Sequence, residues 1–220
     1  METVSIALIA DVHANVYALK GFLDFLARHP DIEQVWNLGD FLQIGPDPAE
    51  VADLILDDAR FLTILGNNEQ SLLQRDLAGF PDDEIAHQDW TLAQLGEERL
   101  AHIRQLPVTR RLAVGGRRVL LVHEKTTVCE ELSETDLLCC GHTHYPAEEI
   151  EGTVRIMNPG SLGFGWGPGR ASFGVIEIGE SALDMRYHSI PFDVAMLRDD
   201  YRQRQVPGRE RILSVFLPEA

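Results

Sequence analysis

The chain lacks the features of a membrane-spanning or secreted protein. None of its apolar runs reaches the roughly 18 uncharged residues that a membrane-spanning helix needs. The N-terminal stretch METVSIALIADVHAN has no basic start, and Asp11 and His13 interrupt its apolar run, so we interpret it as a first β-strand and not as a signal peptide. Cysteine is rare, and Cys139 and Cys140 are neighbours that would point to opposite faces of a strand, while Cys129 stands apart. This usage argues against a disulfide framework and favours the reducing cytoplasm.

Positive charge is also scarce. The chain has 19 Lys and Arg against 35 Asp and Glu, and its formal net charge is −16 at pH 7. Proteins that bind nucleic acids or anionic lipids by electrostatics need clustered cations. The composition therefore argues against nucleic-acid and membrane partners. It does not exclude a small phosphorylated substrate, because bound divalent cations would reverse the local field.

The chain contains no internal repeat, low-complexity tract or Pro/Ser-rich linker. At 220 residues and 45% apolar composition it can bury one large core, so we expect a single domain over residues 1–220. The first part alternates apolar strand-like runs with helical periods, and the second is rich in strands, with Gly115–Gly116 as a hairpin turn. We expect two mixed β-sheets packed face to face between helices, and a helical C-terminal tail over residues 192–220 packed on the domain.

The middle of the chain is less regular. Its pattern predicts a helix over Ser71–Ala78, a polar loop with the sequence FPDDEIAH, and a longer helix over Gln88–Leu106 that ends at Pro107. His87 then lies at the end of that loop, where we expect an exposed side chain.

Seven side chains that can bind metals lie at or just beyond the ends of apolar runs. They are Asp11, His13, Asp40, Asn67, His123, His142 and His144. Asp11 and His13 are two residues apart on an extended segment, so their side chains leave the same face, and His142 and His144 repeat this spacing. The ends of neighbouring strands meet at one edge of a sheet, so we expect the seven side chains to lie close together there. Mixed oxygen and nitrogen donors without thiolate favour Mn, Fe, Ni, Co or Zn over Ca or Mg.

The predicted site suits one reaction above others. A carboxylate such as that of Asp40 can bridge two cations, and Gly39 and Gly66 allow the backbone to approach closely. Two cations about 3.5–4 Å apart favour in-line hydrolysis of a phosphoester by an activated water. A single Asp-x-His pair is weak evidence, because buried His–Asp pairs are common. Four of the eight histidines, however, fall in these motifs.

The motifs D-x-H, G-D, G-N, V-H and G-H-T-H, in this order over roughly residues 4 to 190, resemble those of the calcineurin-like metallophosphoesterase superfamily. The runs LGDFLQIGPDPAEV and MNPGSLG are similar to its small single-domain bacterial and archaeal phosphoesterases. The resemblance implies a four-layer αββα sandwich in which Asn158–Ser161 closes one side of the site. It implies one metal on Asp11, His13, Asp40 and His144. It implies a second on Asp40, Asn67, His123 and His142.

The chain departs from the family pattern at Asn68, where many members have a histidine that protonates the leaving oxygen. Asn68 can hydrogen-bond a phosphoryl oxygen but cannot act as an acid at pH 7. General acid catalysis contributes about 10²–10⁴-fold, so we expect a preference for substrates with good leaving groups. His87 is a candidate substitute acid, although a plain exposed loop histidine is the favoured interpretation. Glu124, where relatives often have glycine, either lies near the metal or, as we favour, faces solvent.

A glycine-rich segment near residue 166 allows two interpretations. In the functional one, Phe164 or Trp166 stacks on a nucleobase or aryl group and Arg170 contacts phosphate. In the structural one, which we favour slightly, the aromatic residues anchor the loop on the core and Arg170 holds it through carbonyl groups.

The sequence therefore predicts a cytoplasmic, dinuclear metal-dependent phosphoesterase that favours diesters. The metals are two divalent transition-metal ions, with Mn first, and the substrate is a small phosphoester, nucleotide-like ones included. The predicted catalytic residues are Asp40, Asn67, Asn68 and Arg170. Alternative enzymes are a phosphomonoesterase or protein phosphatase and a dinucleoside polyphosphate hydrolase. A retromer subunit of the same fold works through protein contacts, so the alternative of another class is a non-catalytic binding scaffold.

Overall fold

The computed structural model describes residues 3–75, 77–128, 131–165, 167 and 169–218. The strands in these ranges are β1 (Val4–Ile9), β2 (Ile32–Asn37), β3 (Phe61–Thr63), β4 (Arg110–Val114), β5 (Arg117–Leu121), β6 (Leu137–Cys139), β7 (Pro146–Glu151), β8 (Val154–Pro159), β9 (Arg170–Ile178) and β10 (Leu183–Pro191). The α-helices are α1 (Val16–Ala27), α2 (Pro48–Leu56), α3 (Asn67–Gln74), α4 (Asp82–Ile103), α5 (Val194–Gln203) and α6 (Arg209–Phe216).

The strands form two mixed five-stranded sheets. The first has the order β10-β9-β1-β2-β3, with β1, β2 and β3 parallel and β9 and β10 antiparallel. The second has the order β4-β5-β6-β8-β7, with β5, β6 and β8 parallel between antiparallel edge strands. The predicted hairpin at Gly115–Gly116 is confirmed, because β4 and β5 pair on either side of it and both glycines have positive φ.

Strand β1 shows why the sheets have two buried faces. Its alternate residues Ile6 and Leu8 pack between the sheets, in one cluster with Leu121 and Leu137 of the second sheet. The residues that alternate with them, Ala7 and Ile9, pack against the helices in another cluster. Burying each of these aliphatic side chains contributes about 1.5–3 kcal/mol. The sandwich predicted from the sequence is confirmed.

The outer face of the second sheet has a thinner cover. Leu120 and Leu138 lie on that face, and Leu132 packs against their cluster. Leu132 belongs to one of two short 3-10 helices, Lys125–Val128 and Glu131–Glu134. Of the longer helices, α1, α2 and α4 contribute to the cluster on the first sheet, and α5 and α6 contribute to the cluster of the C-terminal tail.

Two predicted boundaries in the middle of the chain are wrong. Helix α3 begins at Asn67 and not at Ser71, and the predicted loop FPDDEIAH is mostly the start of α4. Pro81 immediately precedes α4, and three acidic residues fill its first turn, where they interact favourably with the helix dipole. The polar composition of this stretch therefore marks a helix start. Within α4, Gly96 interrupts the helical geometry with a φ of 67°.

The C-terminal tail consists of α5 and α6. Leu197 and Tyr201 of α5 form a buried cluster with Ile212 and Leu213 of α6. The Tyr201 hydroxyl also donates to the carbonyl of Ile44, 3.1 Å away, which joins the tail to the loop after β2. That the whole chain is one domain stays a prediction. No helix in the described ranges is long and apolar enough to cross a membrane.

Candidate metal centre

The structure brings the seven predicted ligands together at the carboxyl ends of strands from both sheets. Six of them form two groups, and in each group the ligand atoms lie within 4.8 Å of one another. The first group is Asp11, His13 and His144. The second group is Asp40, His123 and His142. The seventh residue, Asn67, joins the second group through its Oδ1, which lies 2.9 Å from His142 Nδ1.

The two groups meet at the buried carboxylate of Asp11. Its Oδ1 lies 3.5 Å from Nε2 of His144 and 3.8 Å from Nε2 of His13. The same oxygen is 3.9 Å from Nε2 of His123, which belongs to the second group. His123 Nε2 is in turn 3.2 Å from Asp40 Oδ2. The donors thus form one continuous cluster.

The buried polar atoms of this cluster fit divalent cations. Asp11 Oδ1 and His123 Nε2 are buried and have no hydrogen-bond partner in the described parts of the chain. An unpaired buried carboxylate oxygen is costly, and a cation among these donors would remove that cost. His123 Nδ1 lies 2.8 Å from the carbonyl of Leu38, and a proton on that nitrogen leaves Nε2 free to bind a metal.

The pKa values follow from burial and crowding. Burial disfavours the carboxylate of Asp11 and raises its pKa well above the usual value. Burial also lowers the pKa of His13 to about 3, so this imidazole is neutral at pH 7, as a metal ligand must be. For His123 burial acts in the same direction. The carboxylate of Asp40, 3.2 Å from its Nε2, and the charge of Asp11 outweigh burial and raise the pKa of His123 to about 9.

Backbone strain is concentrated at the predicted ligands. Non-glycine residues rarely adopt positive φ, and each such residue costs about 1–3 kcal/mol. The angle is 53° at Asp11, 48° at His13, 56° at Asp40, 71° at His142 and 62° at His144. Hydrogen bonds between the loops hold this geometry, as when the backbone N–H of His142 donates to Asp11 Oδ2 at 3.0 Å. Strain that clusters in this way is typical of functional sites.

Glu69 organises the loops of the site, a role that the sequence interpretation missed. Its buried carboxylate accepts hydrogen bonds from four backbone N–H groups. The donors are Asp40 at 2.8 Å, Phe41 at 2.9 Å, Leu42 at 3.0 Å and Gly66 at 3.0 Å. The available signal was its position three residues after the N-cap Gly66, where a glutamate commonly completes a capping box.

Gly39 and Gly66 allow the loops after β2 and β3 to touch. A Cβ atom on Gly66 would lie 2.0 Å from Asp40 Oδ1, and one on Gly39 would lie 2.4 Å from the nitrogen of Gly66. Neither position accepts a side chain without moving the Asp40 loop. The close approach expected from these two glycines is confirmed.

Asn68 lies directly against Asp40. Its backbone N–H donates to Asp40 Oδ1 at 2.9 Å, and its side-chain amide donates to Asp40 Oδ2. Its own carbonyl accepts from the side chain of Gln43 at 2.6 Å. Asn68 therefore borders the ligand cluster, while its contact with a phosphoryl oxygen stays a prediction.

The Asn158–Ser161 segment supports the ligand loops from one side. The Asn158 side chain donates to the carbonyl of Gly141 at 2.7 Å, immediately before His142. The Ser161 hydroxyl donates to the carbonyl of Asp11 at 2.8 Å. Two of the ligand-bearing loops are thus held in place by this segment.

Arg170 is not brought into the cluster. Its Nε donates to the hydroxyl of Ser189 on β10 and its Nη2 donates to the carbonyl of the same residue, both at 2.9 Å. This position agrees with the structural interpretation, in which the guanidinium holds backbone. Phe164 is buried, with its ring centroid 6.1 Å from that of His13. Trp166 lies outside the described residues.

His87 is not an exposed loop residue, so that prediction is wrong. It is buried in α4, where its Nε2 accepts the backbone N–H of Ile44 at 2.9 Å. The ring proton is then on Nδ1, which faces the carbonyl of Pro207 at 3.3 Å. Burial lowers the pKa of His87 to about 4, so the ring is neutral at pH 7. Because both nitrogens are engaged, His87 cannot serve as the substitute acid in this arrangement.

The sequence matches a known protein family and is similar to known proteins. The model of the calcineurin-like phosphoesterase superfamily domain matches residues 4–181. The uncharacterized protein MJ0912 of Methanocaldococcus jannaschii is 26% identical over 186 residues, which cover 72% of this chain and 76% of that protein. Phosphodiesterase YfcE of Escherichia coli K12 is 26% identical over 179 residues, which cover 76% of this chain and 84% of YfcE.

The fold is also found among solved structures. The crystal structure of hypothetical protein PH1004 from Pyrococcus horikoshii OT3 superposes with a TM-score of 0.83 at 20% sequence identity. The match covers 98% of this chain and 99% of that one. The similarity therefore extends over the two sheets and the C-terminal tail.

Proposed function

This chain belongs to the calcineurin-like phosphoesterase superfamily, and we propose that it hydrolyses small phosphodiesters with the help of two divalent metal ions. The observation that carries the proposal is the convergence of two ligand groups on the buried, unpartnered Oδ1 of Asp11. The preference for diesters is supported by the relative YfcE, which is named a phosphodiesterase.

The ligand assignment follows the two groups. Asp11, His13 and His144 would hold one cation. Asp40, Asn67, His123 and His142 would hold the other, with Asp40 shared between the two. Bound divalent cations supply positive charge for phosphoryl oxygens and lower the pKa of a bound water toward 7. The mixed imidazole and oxygen donors suit a transition metal, and we propose Mn first, with Fe, Ni, Co or Zn as alternatives.

The remaining polar groups position the substrate and do not transfer protons. The amide of Asn68, next to Asp40, would donate to a phosphoryl oxygen, and no histidine stands at that position. The leaving group must therefore depart without a proton from residue 68, which favours aryl and other stable leaving groups. Arg170 is not among the proposed groups, because its guanidinium is held on Ser189.

The proposed setting is the reducing cytoplasm, supported by the buried free thiols of Cys139 and Cys140. Cys129 lies outside the described residues. The proposed partner is a small phosphoester, nucleotide-like ones included, because the net charge of −16 disfavours polyanionic surfaces.

The test is hydrolysis of bis(p-nitrophenyl) phosphate by the Mn²⁺-loaded protein, with metal content measured by mass spectrometry. Asp40→Asn is expected to lower kcat at least about 100-fold and to reduce bound metal, since it removes a charged ligand. Asp184→Asn, the same change at an exposed position of β10, is the matched control and should behave like the unmodified protein. Equal activity of Asp40→Asn and the unmodified protein would refute the proposed function.

A further inference from the structure

Two cavities border the candidate metal centre, one beside each ligand group. The first, which we call the His144 cavity, has a volume of about 480 Å³ and is lined by His144, Tyr145 and Phe164, among others. The second, the Asn68 cavity, has a volume of about 290 Å³ and includes Asn67 and Asn68 in its wall. Both are large enough for an organic substituent of a phosphoester.

The side chain of Phe216 lines both cavities. It lies in α6, beyond the residues matched by the family domain, and its side chain is half-buried. Its ring is nearly parallel to that of His144, with centroids 6.0 Å apart and an angle of 27° between the planes. Its centroid is also 4.9 Å from that of Phe164. Phe216 therefore stands next to the ligand cluster and lines the cavities on both sides of it.

Helix α6 holds this ring in a fixed place. Ile212 and Leu213 bury one side of the helix against α5. On another side, Arg211 Nε lies 2.9 Å from Asp83 Oδ2 and its Nη1 lies 2.7 Å from Glu84 Oε1. These ion pairs connect α6 to the first turn of α4. Contacts with two other helices, α4 and α5, thus position the helix that carries Phe216.

The charges of the cavities limit what they can hold. No lysine or arginine is among the described residues that line the His144 cavity. Among the described residues that line the Asn68 cavity the cation is Arg211, which is already engaged by Asp83 and Glu84. The described lining of the two cavities therefore offers a second phosphate group no free cation, and in the Asn68 cavity that group would meet carboxylates. The cavities therefore suit uncharged groups and not the phosphates of a dinucleoside polyphosphate.

We propose that Phe216 is a specificity-determining residue that divides the cleft above the metal centre, so that the two uncharged organic groups of one phosphodiester occupy the His144 cavity and the Asn68 cavity. The inference rests on the proposed function and names its substrate class. One aromatic face of Phe216 contacts an aryl or nucleobase-like group, and stacking against it favours diesters with two flat substituents over those with one.

The test compares two diesters that share one leaving group. The ratio of kcat/KM for bis(p-nitrophenyl) phosphate to that for methyl p-nitrophenyl phosphate is measured with the Mn²⁺-loaded protein and its variants. Phe216→Ala should lower this ratio about 3- to 10-fold, mainly through KM for the bis-aryl ester, and Phe216→Tyr should restore it. Phe192→Ala is the matched control, because Phe192 is also half-buried and packs against the tail but lines neither cavity.

An unchanged ratio in Phe216→Ala overturns the proposal. An equal loss for both esters also overturns it, because that result shows a merely structural role. If the unmodified protein hydrolyses neither ester, the proposed function fails, and calorimetric titration of the Mn²⁺-loaded protein with diphenyl phosphate and dimethyl phosphate decides the role of Phe216. Tighter binding of diphenyl phosphate that is lost in Phe216→Ala supports the divided cleft, and equal binding of the two esters overturns it.

Discussion

Replacing Glu69 with glutamine is expected to destabilise the fold and to weaken metal binding, although Glu69 is not a predicted ligand. One carboxylate oxygen, Oε1, accepts the N–H groups of Phe41 and Leu42, and the other, Oε2, accepts those of Asp40 and Gly66. Glutamine keeps one oxygen and replaces the other by an NH₂ group. In either orientation two buried backbone N–H groups would face a donor instead of an acceptor.

The magnitude follows from these contacts. Hydrogen bonds to a charged group contribute about 1.5–3 kcal/mol each, so the loss of two costs about 3–6 kcal/mol. Part of this is offset, because burial and the nearby charge of Asp40 disfavour the ionised carboxylate and raise the pKa of Glu69 to about 7. We expect a net loss of about 2–4 kcal/mol in the free energy of unfolding of the metal-free protein. Movement of the Asp40 loop should lower metal affinity about 10–100-fold.

The assay is urea unfolding at pH 8 in excess chelator, where the Glu69 carboxylate is ionised, combined with calorimetric titration of Mn²⁺ into the folded protein. Glu97→Gln is the matched control. Glu97 is exposed and pairs with the exposed Arg104, so this change should alter stability by less than about 0.5 kcal/mol. The reasoning is refuted if Glu69→Gln unfolds at the same urea concentration as the control and binds Mn²⁺ equally well.

Two further predictions concern the neighbours of the metal centre. The pKa of His87 is lowered from 6.5 to about 4 in the folded state, so its contribution to stability is present above about pH 6.5 and is lost as the pH falls toward 4. Up to about 3 kcal/mol of the free energy of unfolding that the protein loses on acidification should therefore be retained in His87→Gln. Urea unfolding between pH 7 and pH 4.5 measures this loss, and an equal loss in the variant and the unmodified protein would contradict the prediction. Asn68→His should supply a general acid and raise kcat about 10-fold or more for diesters with alkoxide leaving groups, with little gain for p-nitrophenyl esters. An unchanged dependence of log kcat on leaving-group pKa would argue against the role assigned to position 68.

The chemistry of the site could be predicted from the sequence because it depends on local spacing. Asp11 and His13 follow β1 of the first sheet, and His142 and His144 follow β6 of the second, so the strand pattern alone places each pair just beyond the carboxyl end of a strand. Gly39 and Gly66 likewise predict a close approach of two backbone segments, because glycine has no side chain. These features need no knowledge of distant residues, and the sandwich of two mixed sheets follows from the same strand and hairpin patterns.

Helix starts were harder to predict, because polar residues at the first turn of a helix resemble a loop. The acidic run after Pro81 is such a case, since it begins α4. His87, placed on a loop by this error, is instead buried between Ile44 and Pro207, which are 43 and 120 residues away in the sequence. No local pattern contains that information.

The sequence by itself determined which donors the chain carries and at which strand ends they stand, because side-chain chemistry and strand periodicity are local properties. Only the tertiary structure decided what surrounds them. It directed Arg170 to Ser189, placed the carboxylate of Glu69 on the Asp40 loop and set Phe216 beside His144. These contacts join segments 19, 29 and 72 residues apart. Burial and hydrogen-bond partners at such separations depend on how all the elements pack, and this packing decides which side chains surround the ligands.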